Sequence, residues 1–332
     1  MNFTSSMTPI SIGIDIGGTN TKFGVVDQKG NTLAQNSIST RAFEAIEAYI
    51  EGVSNAVKDL LNELKQEVEL MGIGIGAPNA NYFSGNIEYA PNLRWKGIIP
   101  LVELFKTHFD VPVIATNDAN AAAIGEMMYG AAKDYQDFVM VTLGTGVGSG
   151  FVVHGNLVYG HDGFAGEFGH VCAVRGGRLC TCGKKGCIEA YASARGLVLT
   201  VQEQLAATTE ESLLSHILPE NLSPKDVFEA AEKGDKIAKQ AFEYTGQRLG
   251  ESLSDIVAIT SPKAIFLFGG VARAGKWIIE PTQRHMEANL LNVYKNKVQI
   301  IPSKLPGSEA AILGASALVW KEFGEHVPHV TE

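Results

Sequence analysis

The 332-residue chain has no long apolar run and no cluster of basic residues. No segment approaches the roughly 20 consecutive apolar residues that a membrane-spanning helix needs. The N-terminus lacks the basic and apolar regions of a signal peptide. The formal net charge is −9, whereas nucleic acids and anionic membranes bind clustered positive charge. We therefore expect a cytosolic protein whose partners include neither a nucleic acid nor a membrane.

Cysteine is scarce, and its placement is uneven. All four cysteines lie within GEFGHVCAVRGGRLCTCGKKGCIEAYAS, residues 166–193. Three of them follow a histidine in a His-x9-Cys-x-Cys-x4-Cys pattern made of His170, Cys180, Cys182 and Cys187. Three thiolates and an imidazole are a common ligand set for structural zinc, whereas disulfides are rare in the cytosol. A disulfide and simple free thiols are the alternatives.

Two widespread nucleotide-binding motifs are absent. The sequence contains no G-x-x-x-x-G-K-[ST] pattern, which excludes a P-loop. The dinucleotide pattern G-x-G-x-x-G fails at its sixth position, where Ser149 stands. The two main glycine turns, after Asp15 and after Leu143, also lead into strands, whereas the dinucleotide pattern opens a helix. A nucleotide would therefore have to bind by another arrangement.

Strands and helices alternate along the chain, which predicts an α/β class. Helices are expected over Ala42–Glu69, over much of Lys225–Leu253, and over residues 308–323. The opening segment IGIDIGGTNTKFGVVD reads as a strand, a Gly/Thr turn and a second strand, and FVMVTLGTGVGSGFVVHGNLVYG repeats that plan. Because more than a hundred residues separate the two copies, the repeat indicates two related domains.

Three glycine turns follow apolar strands, at Asp15-Ile-Gly-Gly-Thr-Asn, Leu143-Gly-Thr-Gly-Val-Gly and Phe268-Gly-Gly-Val-Ala. A turn without Cβ atoms lets backbone N–H groups approach a phosphate closely. Any one of these turns alone would be read as an ordinary hairpin turn. Three of them, two in the repeated units, favour phosphate binding.

Acidic residues stand at positions where chemistry is possible. In TNDANAA, Asp118 lies between a strand end and a helix start. Such an Asp either caps the helix or acts as a general base toward a hydroxyl group. Glu167 and Glu189 flank the cysteine segment, and alone they would be read as solvated surface residues.

Four segments resemble the ROK family of sugar kinases and repressors, within the actin/hexokinase/Hsp70-like ATPase superfamily: IGIDIGGTNTKFGVVD, NDANAAAIGE, LGTGVGSGFVVHGNLVYG and AGEFGHV…CTCGKKGCIEAY. The resemblance runs from about Ile12 to Leu318. It implies two actin-like (ribonuclease-H-like) domains with a cleft between them. The smaller would hold residues 1–117 plus 308–332, and the larger 118–307 with the cysteine loop. The family's repressors carry an N-terminal helix-turn-helix module, which we do not expect here.

The resemblance also implies ATP and Mg²⁺. Asp15 would hold Mg²⁺ through water, a role compatible with capping the turn that follows it. The first two turns would form phosphate loops, and the third would pack by the adenosine. The implied nucleotide-side residues are Asp15, Gly17, Gly18, Thr19, Asn20, Lys22, Gly144, Thr145, Gly146, Gly269 and Gly270.

On the sugar side, the resemblance makes Asp118 the catalytic base and gives the cysteine loop a structural Zn²⁺. The zinc ligands would be His170, Cys180, Cys182 and Cys187, while Cys172 falls outside the family's ligand pattern. One ring nitrogen of His170 would bind zinc and the other would meet the sugar. The implied sugar ligands are Asn117, Asp118, Glu167, His170 and Glu189, with Asn92 and Asn79 as further candidates.

These implications predict an enzyme, an ATP-dependent hexose 6-kinase with glucose as the expected acceptor. An N-acetylglucosamine or N-acetylmannosamine kinase is the nearest alternative. A non-catalytic sugar-sensing ROK relative is an alternative of another class, disfavoured by the presence of Asp15 and Asp118. ATP and polyphosphate are both open as phosphoryl donors. The family implies a homodimer, or a tetramer built as a dimer of dimers.

Overall fold

The computed structural model describes residues 7–307 and 309–324, and the bounds of their elements follow. The strands are β1 Thr8–Ile16, β2 Asn20–Asp27, β3 Thr32–Ser39, β4 Val68–Gly76, β5 Ile87–Glu88, β6 Ile98–Ile99, β7 Val113–Thr116, β8 Phe138–Leu143, β9 Val147–Val153, β10 Asn156–Leu157, β11 Ala264–Phe268 and β12 Gln299–Pro302. The α-helices are α1 Ile46–Asn62, α2 Leu101–Lys106, α3 Asp118–Tyr129, α4 Glu189–Ala192, α5 Ala194–Ala206, α6 Pro224–Glu232, α7 Lys236–Thr260, α8 Lys276–Asn289 and α9 Ala310–Phe323.

Two five-stranded sheets share one strand plan. The first has the order β3-β2-β1-β4-β7, and the second has the order β10-β9-β8-β11-β12. In each, the leading strand pairs antiparallel with the next strand of the chain, as Asp15 does with Lys22 across β1 and β2. It pairs in parallel with the strand on its other side. This confirms the α/β class and the internal repeat.

The chain divides into two compact units. Unit 1 holds the described residues up to Asp134, Leu157–Ala165 and the residues from Lys304 onward; unit 2 holds Tyr135–Asn156 and Gly166–Ser303. Each unit buries an apolar cluster of its own around its sheet. The expected second domain begins at Asp118, whereas α3 lies in unit 1. The physical reason is that α3 packs against α9 and β4, which belong to that unit.

Two predicted helices have different bounds in the structure. The helix expected over Ala42–Glu69 is α1, and it is shorter because β4 begins at Val68, where it pairs with β1. The helix expected over Lys225–Leu253 is two helices. They separate at Gly234, whose φ of +95° is left-handed, and Asp235 caps α7 by accepting from the Ala238 N–H at 2.9 Å.

Helix α9 lies directly on the sheet of unit 1, at two glycines. A Cβ atom at Gly13 of β1 would lie 2.0 Å from the Ile312 carbonyl oxygen, and one at Gly74 of β4 would lie 1.8 Å from the Ala315 carbonyl oxygen. The contact is between backbones, so no side chain can rotate to make room. Glycine at these two positions is therefore a packing requirement.

Among the described residues, no helix has the length and apolarity needed to span a membrane.

We expect Gly74→Ala to destabilise the protein by about 3 kcal/mol or more, at or above the upper end of ordinary overpacking. The added methyl group would force α9 away from β1 and β4. Urea unfolding followed by circular dichroism measures the change. Gly76→Ala is the matched control on the same strand, because its Cβ would meet the Ala121 Cβ at an ordinary 3.4 Å. Equal stability of the two variants would contradict the packing argument.

Candidate active site

The first group of predicted residues lies at one edge of the unit 1 sheet. The parallel strands β1, β4 and β7 end at this edge, with Asp15 next to the last residue of β1. The turn after β1 is closed by the Gly17 N–H, which donates to the Asn20 carbonyl at 3.0 Å. A Cβ at Gly18 would lie 2.5 Å from the Asn92 carbonyl oxygen. The turn and Asn92 therefore adjoin, and the turn is too close to its neighbour for a larger residue at Gly18.

Asn117, and not Asp118, caps helix α3. The Asn117 backbone is extended, and its Oδ1 accepts from the Asn120 N–H at 2.7 Å. Asp118 is the first helical residue, and its Oδ1 accepts from the Ala119 N–H at 2.8 Å. Asn117 therefore makes the capping interaction that was the alternative role for Asp118. The Asp118 carboxylate is held by one oxygen while its side chain remains accessible to solvent.

Asp15 and Asp118 influence each other electrostatically. Desolvation and then the negative charge of Asp118 raise the pKa of Asp15 to about 6, although Lys22 lowers it. The protein atoms packed around the Asp118 carboxylate raise its pKa by desolvation, against the opposing effect of the Ala119 N–H, although the residue as a whole keeps contact with solvent. Like charges that lie close together disfavour ionisation of both groups. A cation or a proton between these carboxylates would relieve the repulsion.

The other two glycine turns meet in unit 2. The Gly144 N–H donates to the Gly146 carbonyl at 3.0 Å, which closes the turn after β8. The Val271 N–H donates to the Leu143 carbonyl at 3.1 Å, so the turn after β11 lies against the end of β8. Gly269 has a φ of +106°, and a Cβ there would lie 2.5 Å from the Leu143 oxygen. Backbone conformation and close approach both require glycine at this position.

The cysteine loop brings together the four predicted zinc ligands. Each ligand contributes one donor atom, and these four atoms all lie within 4.8 Å of one another: they belong to His170, Cys180, Cys182 and Cys187. The Cys182 and Cys187 sulfurs are 3.7 Å apart, which fits two Zn–S bonds of about 2.3 Å in tetrahedral geometry. Desolvation, then the Cys182 and Cys180 side chains, raises the pKa of the Cys187 thiol to about 12. A thiolate at Cys187 therefore needs a neighbouring cation.

His170 presents its two ring nitrogens to different neighbours. Nδ1 lies 3.8 Å from the Cys180 sulfur, and Nε2 lies 4.0 Å from the Glu167 Oε2 atom. The two ring nitrogens therefore face different groups, one the cysteine cluster and the other Glu167. Cys172 is exposed and lies opposite Cys187 on the neighbouring segment. It is not one of the four residues of the cluster.

Glu189, the first residue of α4, bridges the second glycine turn and the cysteine loop. Its Oε2 accepts from the Val147 N–H at 3.1 Å. Its Oε1 accepts from the Thr181 hydroxyl at 2.9 Å and lies 3.4 Å from the Cys180 sulfur. The carboxylate is half-buried, so the interpretation of a solvated surface residue does not hold for Glu189. Glu167 is exposed.

The predicted residues form two groups, one in each unit. Asp15, Gly17–Asn20, Lys22, Asn92, Asn117 and Asp118 lie in unit 1; Gly144–Gly146, Glu167, His170, Cys180, Cys182, Cys187, Glu189, Gly269 and Gly270 lie in unit 2. Asn79 adopts a left-handed φ of 52° and donates to the Glu88 carbonyl at 2.9 Å, which is turn chemistry. Sequence reasoning missed Thr181 and the Val147 N–H, since only the folded chain places them beside Glu189.

Comparison with known proteins gives a consistent result. The model of the ROK family matches residues 11–322. The chain is 34% identical over 312 residues to a glucokinase from Halalkalibacterium halodurans, covering 93% of this chain and 94% of that protein. It is 32% identical over 314 residues to a glucokinase from Streptomyces coelicolor, covering 93% and 97%. A crystal structure of a ROK family glucokinase from Streptomyces griseus in complex with glucose and AMPPNP has a TM-score of 0.78 at 32% identity, covering 93% of this chain and 98% of that one.

Proposed function

The chain belongs to the ROK family, and from this premise we propose that it is an ATP-dependent hexose 6-kinase that phosphorylates glucose. The observation that carries the proposal is the pair of carboxylates, Asp15 and Asp118, at the carboxyl edge of one sheet. One carboxylate beside a glycine turn and a second with a raised pKa suit metal-assisted phosphoryl transfer to an alcohol. The similarity to glucokinases across 93% of the chain supports glucose as the acceptor.

We assign Asp118 as the general base. A sugar hydroxyl is a weak nucleophile, and a carboxylate within hydrogen-bond reach takes its proton as the new phosphorus–oxygen bond forms. The raised pKa of Asp118 makes the carboxylate a better proton acceptor than an ordinary Asp. Its Oδ1 atom accepts a hydrogen bond from the Ala119 N–H, which orients the second oxygen. Less conformational entropy is then lost when the carboxylate meets the hydroxyl.

The nucleotide is assigned to the glycine turns. Gly17–Asn20 and Gly144–Gly146 would supply backbone N–H groups to the phosphates, Lys22 would add positive charge, and Gly269 and Gly270 would lie by the adenosine. Asp15 would hold Mg²⁺, which when bound neutralises charge on the transferring phosphoryl group. The crowding at Gly18 and Gly269 supports the requirement for turns without side chains.

The sugar is assigned to the polar groups beside the base and on the cysteine loop. Asn117, Asn92, Glu167, His170 and Glu189 supply the donors and acceptors that a polyhydroxylated ligand needs. A zinc ion held by His170 and the three cysteines would be structural, since four protein ligands complete a tetrahedron. The zinc would fix the loop that carries Thr181. Glu167 and Glu189 lie on either side of this loop in the sequence.

A coupled ADP-release assay tests the proposed function. The acceptors are glucose, N-acetylglucosamine, N-acetylmannosamine, fructose and mannose, each with ATP and with polyphosphate. We expect the highest kcat/KM with glucose and ATP, and nuclear magnetic resonance of the product to place the phosphate on O6. Preference for an N-acetylated sugar would establish the nearest alternative. Sugar binding without turnover would establish a sensor.

The family also leads us to propose a homodimer, or a dimer of dimers, which sedimentation equilibrium tests.

A further inference from the structure

The Glu189 carboxylate is oriented by a residue that belongs to neither the metal cluster nor the proposed sugar ligands. Thr181 lies between two of the cysteines, and its hydroxyl donates to Glu189 Oε1 at 2.9 Å. The Val147 N–H holds the other carboxylate oxygen at 3.1 Å. The Cys180 sulfur lies 3.4 Å from Oε1 as a second, longer contact. Both carboxylate oxygens are therefore held, which fixes the plane of the carboxylate. Hydrogen bonds to charged groups are among the stronger ones in proteins.

The Thr181 hydroxyl can act in this way only if its segment stays in place, and Arg178 holds the segment independently of any metal. The Arg178 side chain is 10% exposed. Its Nε donates to Glu203 at 3.0 Å, and Nη1 donates to the Ala190 and Gly196 carbonyls at 3.0 and 3.2 Å. Its Nη2 donates to Thr200 at 3.0 Å and also to Glu203. All five N–H groups of the guanidinium are thus used.

The same segment is fixed by its backbone. The Arg178 N–H donates to the Tyr191 hydroxyl at 2.8 Å, and the Arg178 carbonyl accepts from the Gly186 N–H at 2.8 Å. The guanidinium carbon lies 4.7 Å from the centre of the Tyr191 ring, a cation–π contact. Ala190 and Tyr191 directly follow Glu189 on α4, so Arg178 ties the Thr181 segment to the helix that carries the carboxylate.

We propose that Thr181 is a positioning residue for sugar binding, which orients Glu189 from a segment clamped by Arg178. The proposal rests on the proposed function, because it takes Glu189 to bind the sugar. It predicts that loss of the hydroxyl weakens the interaction with the sugar and leaves the nucleotide and the chemical step nearly unchanged. If Thr181 had a structural role alone, loss of its hydroxyl would lower the stability of the protein and leave the affinity for the sugar unchanged.

The test compares Thr181→Val, which keeps the shape and removes the hydroxyl, with Thr181→Ser, which keeps the hydroxyl. We expect Thr181→Val to raise KM for glucose, and Kd for glucose by calorimetry, about tenfold. The KM for ATP, kcat, Tm and bound zinc per chain should stay close to wild type. Thr181→Ser should restore the affinity for glucose. Thr209→Val, on an exposed threonine after α5, is the matched control for the loss of a surface hydroxyl.

Each other outcome overturns the proposal. Unchanged glucose affinity in Thr181→Val would exclude a positioning role. Equal loss in the Ser and Val variants would show that keeping the hydroxyl does not preserve the affinity for glucose, which contradicts a role for the hydroxyl. Loss of zinc together with affinity would mean that the hydroxyl acts on the metal cluster. A wild-type protein that neither phosphorylates nor binds glucose would instead refute the proposed function, so the wild-type measurement separates the two failures.

Discussion

Replacing Asp118 with asparagine is expected to lower kcat by about 10²–10⁴-fold, the usual contribution of a general base. The amide oxygen can still accept from the Ala119 N–H, as the carboxylate does at 2.8 Å, so the start of α3 is preserved. Asn117 caps that helix in either case. The amide cannot take a proton from the sugar hydroxyl. The loss should therefore fall on the chemical step and leave Kd for glucose within a few-fold of wild type.

Steady-state kinetics, together with calorimetric titration of glucose, measure the two effects separately. Asp59→Asn is the matched control, since Asp59 is an exposed carboxylate on α1 and its loss should leave both quantities unchanged. A kcat near the wild-type value in Asp118→Asn would refute the assignment of the base. A fall in stability as large as the fall in activity would indicate a structural role.

Removing the proposed structural zinc is expected to have the second largest effect. Structural zinc contributes about 10–16 kcal/mol of apparent binding free energy in peptide models, and the loop from His170 to Cys187 contains only a small apolar core. We expect prolonged chelation to release about one zinc per chain and to lower Tm by about 10 °C or more. Glucose affinity should fall with it, because the loop carries Thr181 and adjoins Glu189.

Mass spectrometric metal analysis and differential scanning calorimetry measure this prediction. Cys187→Ser should reproduce the effect of chelation, because Cys187 is one of the four clustered ligands. Cys172→Ser is the matched control from the same loop: its sulfur is outside the cluster and its side chain is exposed, so the variant should retain zinc. A fully active preparation without zinc would contradict the structural role of the metal.

The sequence was most informative where chemistry depends on short local patterns. The strands beside each glycine turn, the repeated strand plan and the spacing of the cysteine cluster all rest on residues close together in the chain. The spacing from His170 to Cys187 predicted a cluster, and the structure places its four donor atoms within 4.8 Å. Such patterns constrain nearby backbone directly, because turn and ligand geometry admit few residue types.

The features that could not be predicted depend on distant parts of the chain. The placement of α3 in unit 1 follows from its contact with α9, nearly 200 residues away in sequence. The cap of α3 is a local exception: Asn117 and Asp118 are both able to cap, and the residue at which the extended backbone ends, Asn117, takes the role. The roles of Thr181 and Arg178 appear only once α4 and α5 are docked, and neither residue stands in a motif that signals them.

The seating of α9 on Gly13 and Gly74 has a consequence for biosynthesis. Unit 1 starts at the N-terminal strands, yet its sheet remains uncovered on the α9 side until residues 310–323 leave the ribosome. Most of unit 2 is continuous in sequence, from Gly166 to Ser303, and has its own apolar cluster. All of unit 2 is therefore synthesised before unit 1 receives the helix that covers its sheet.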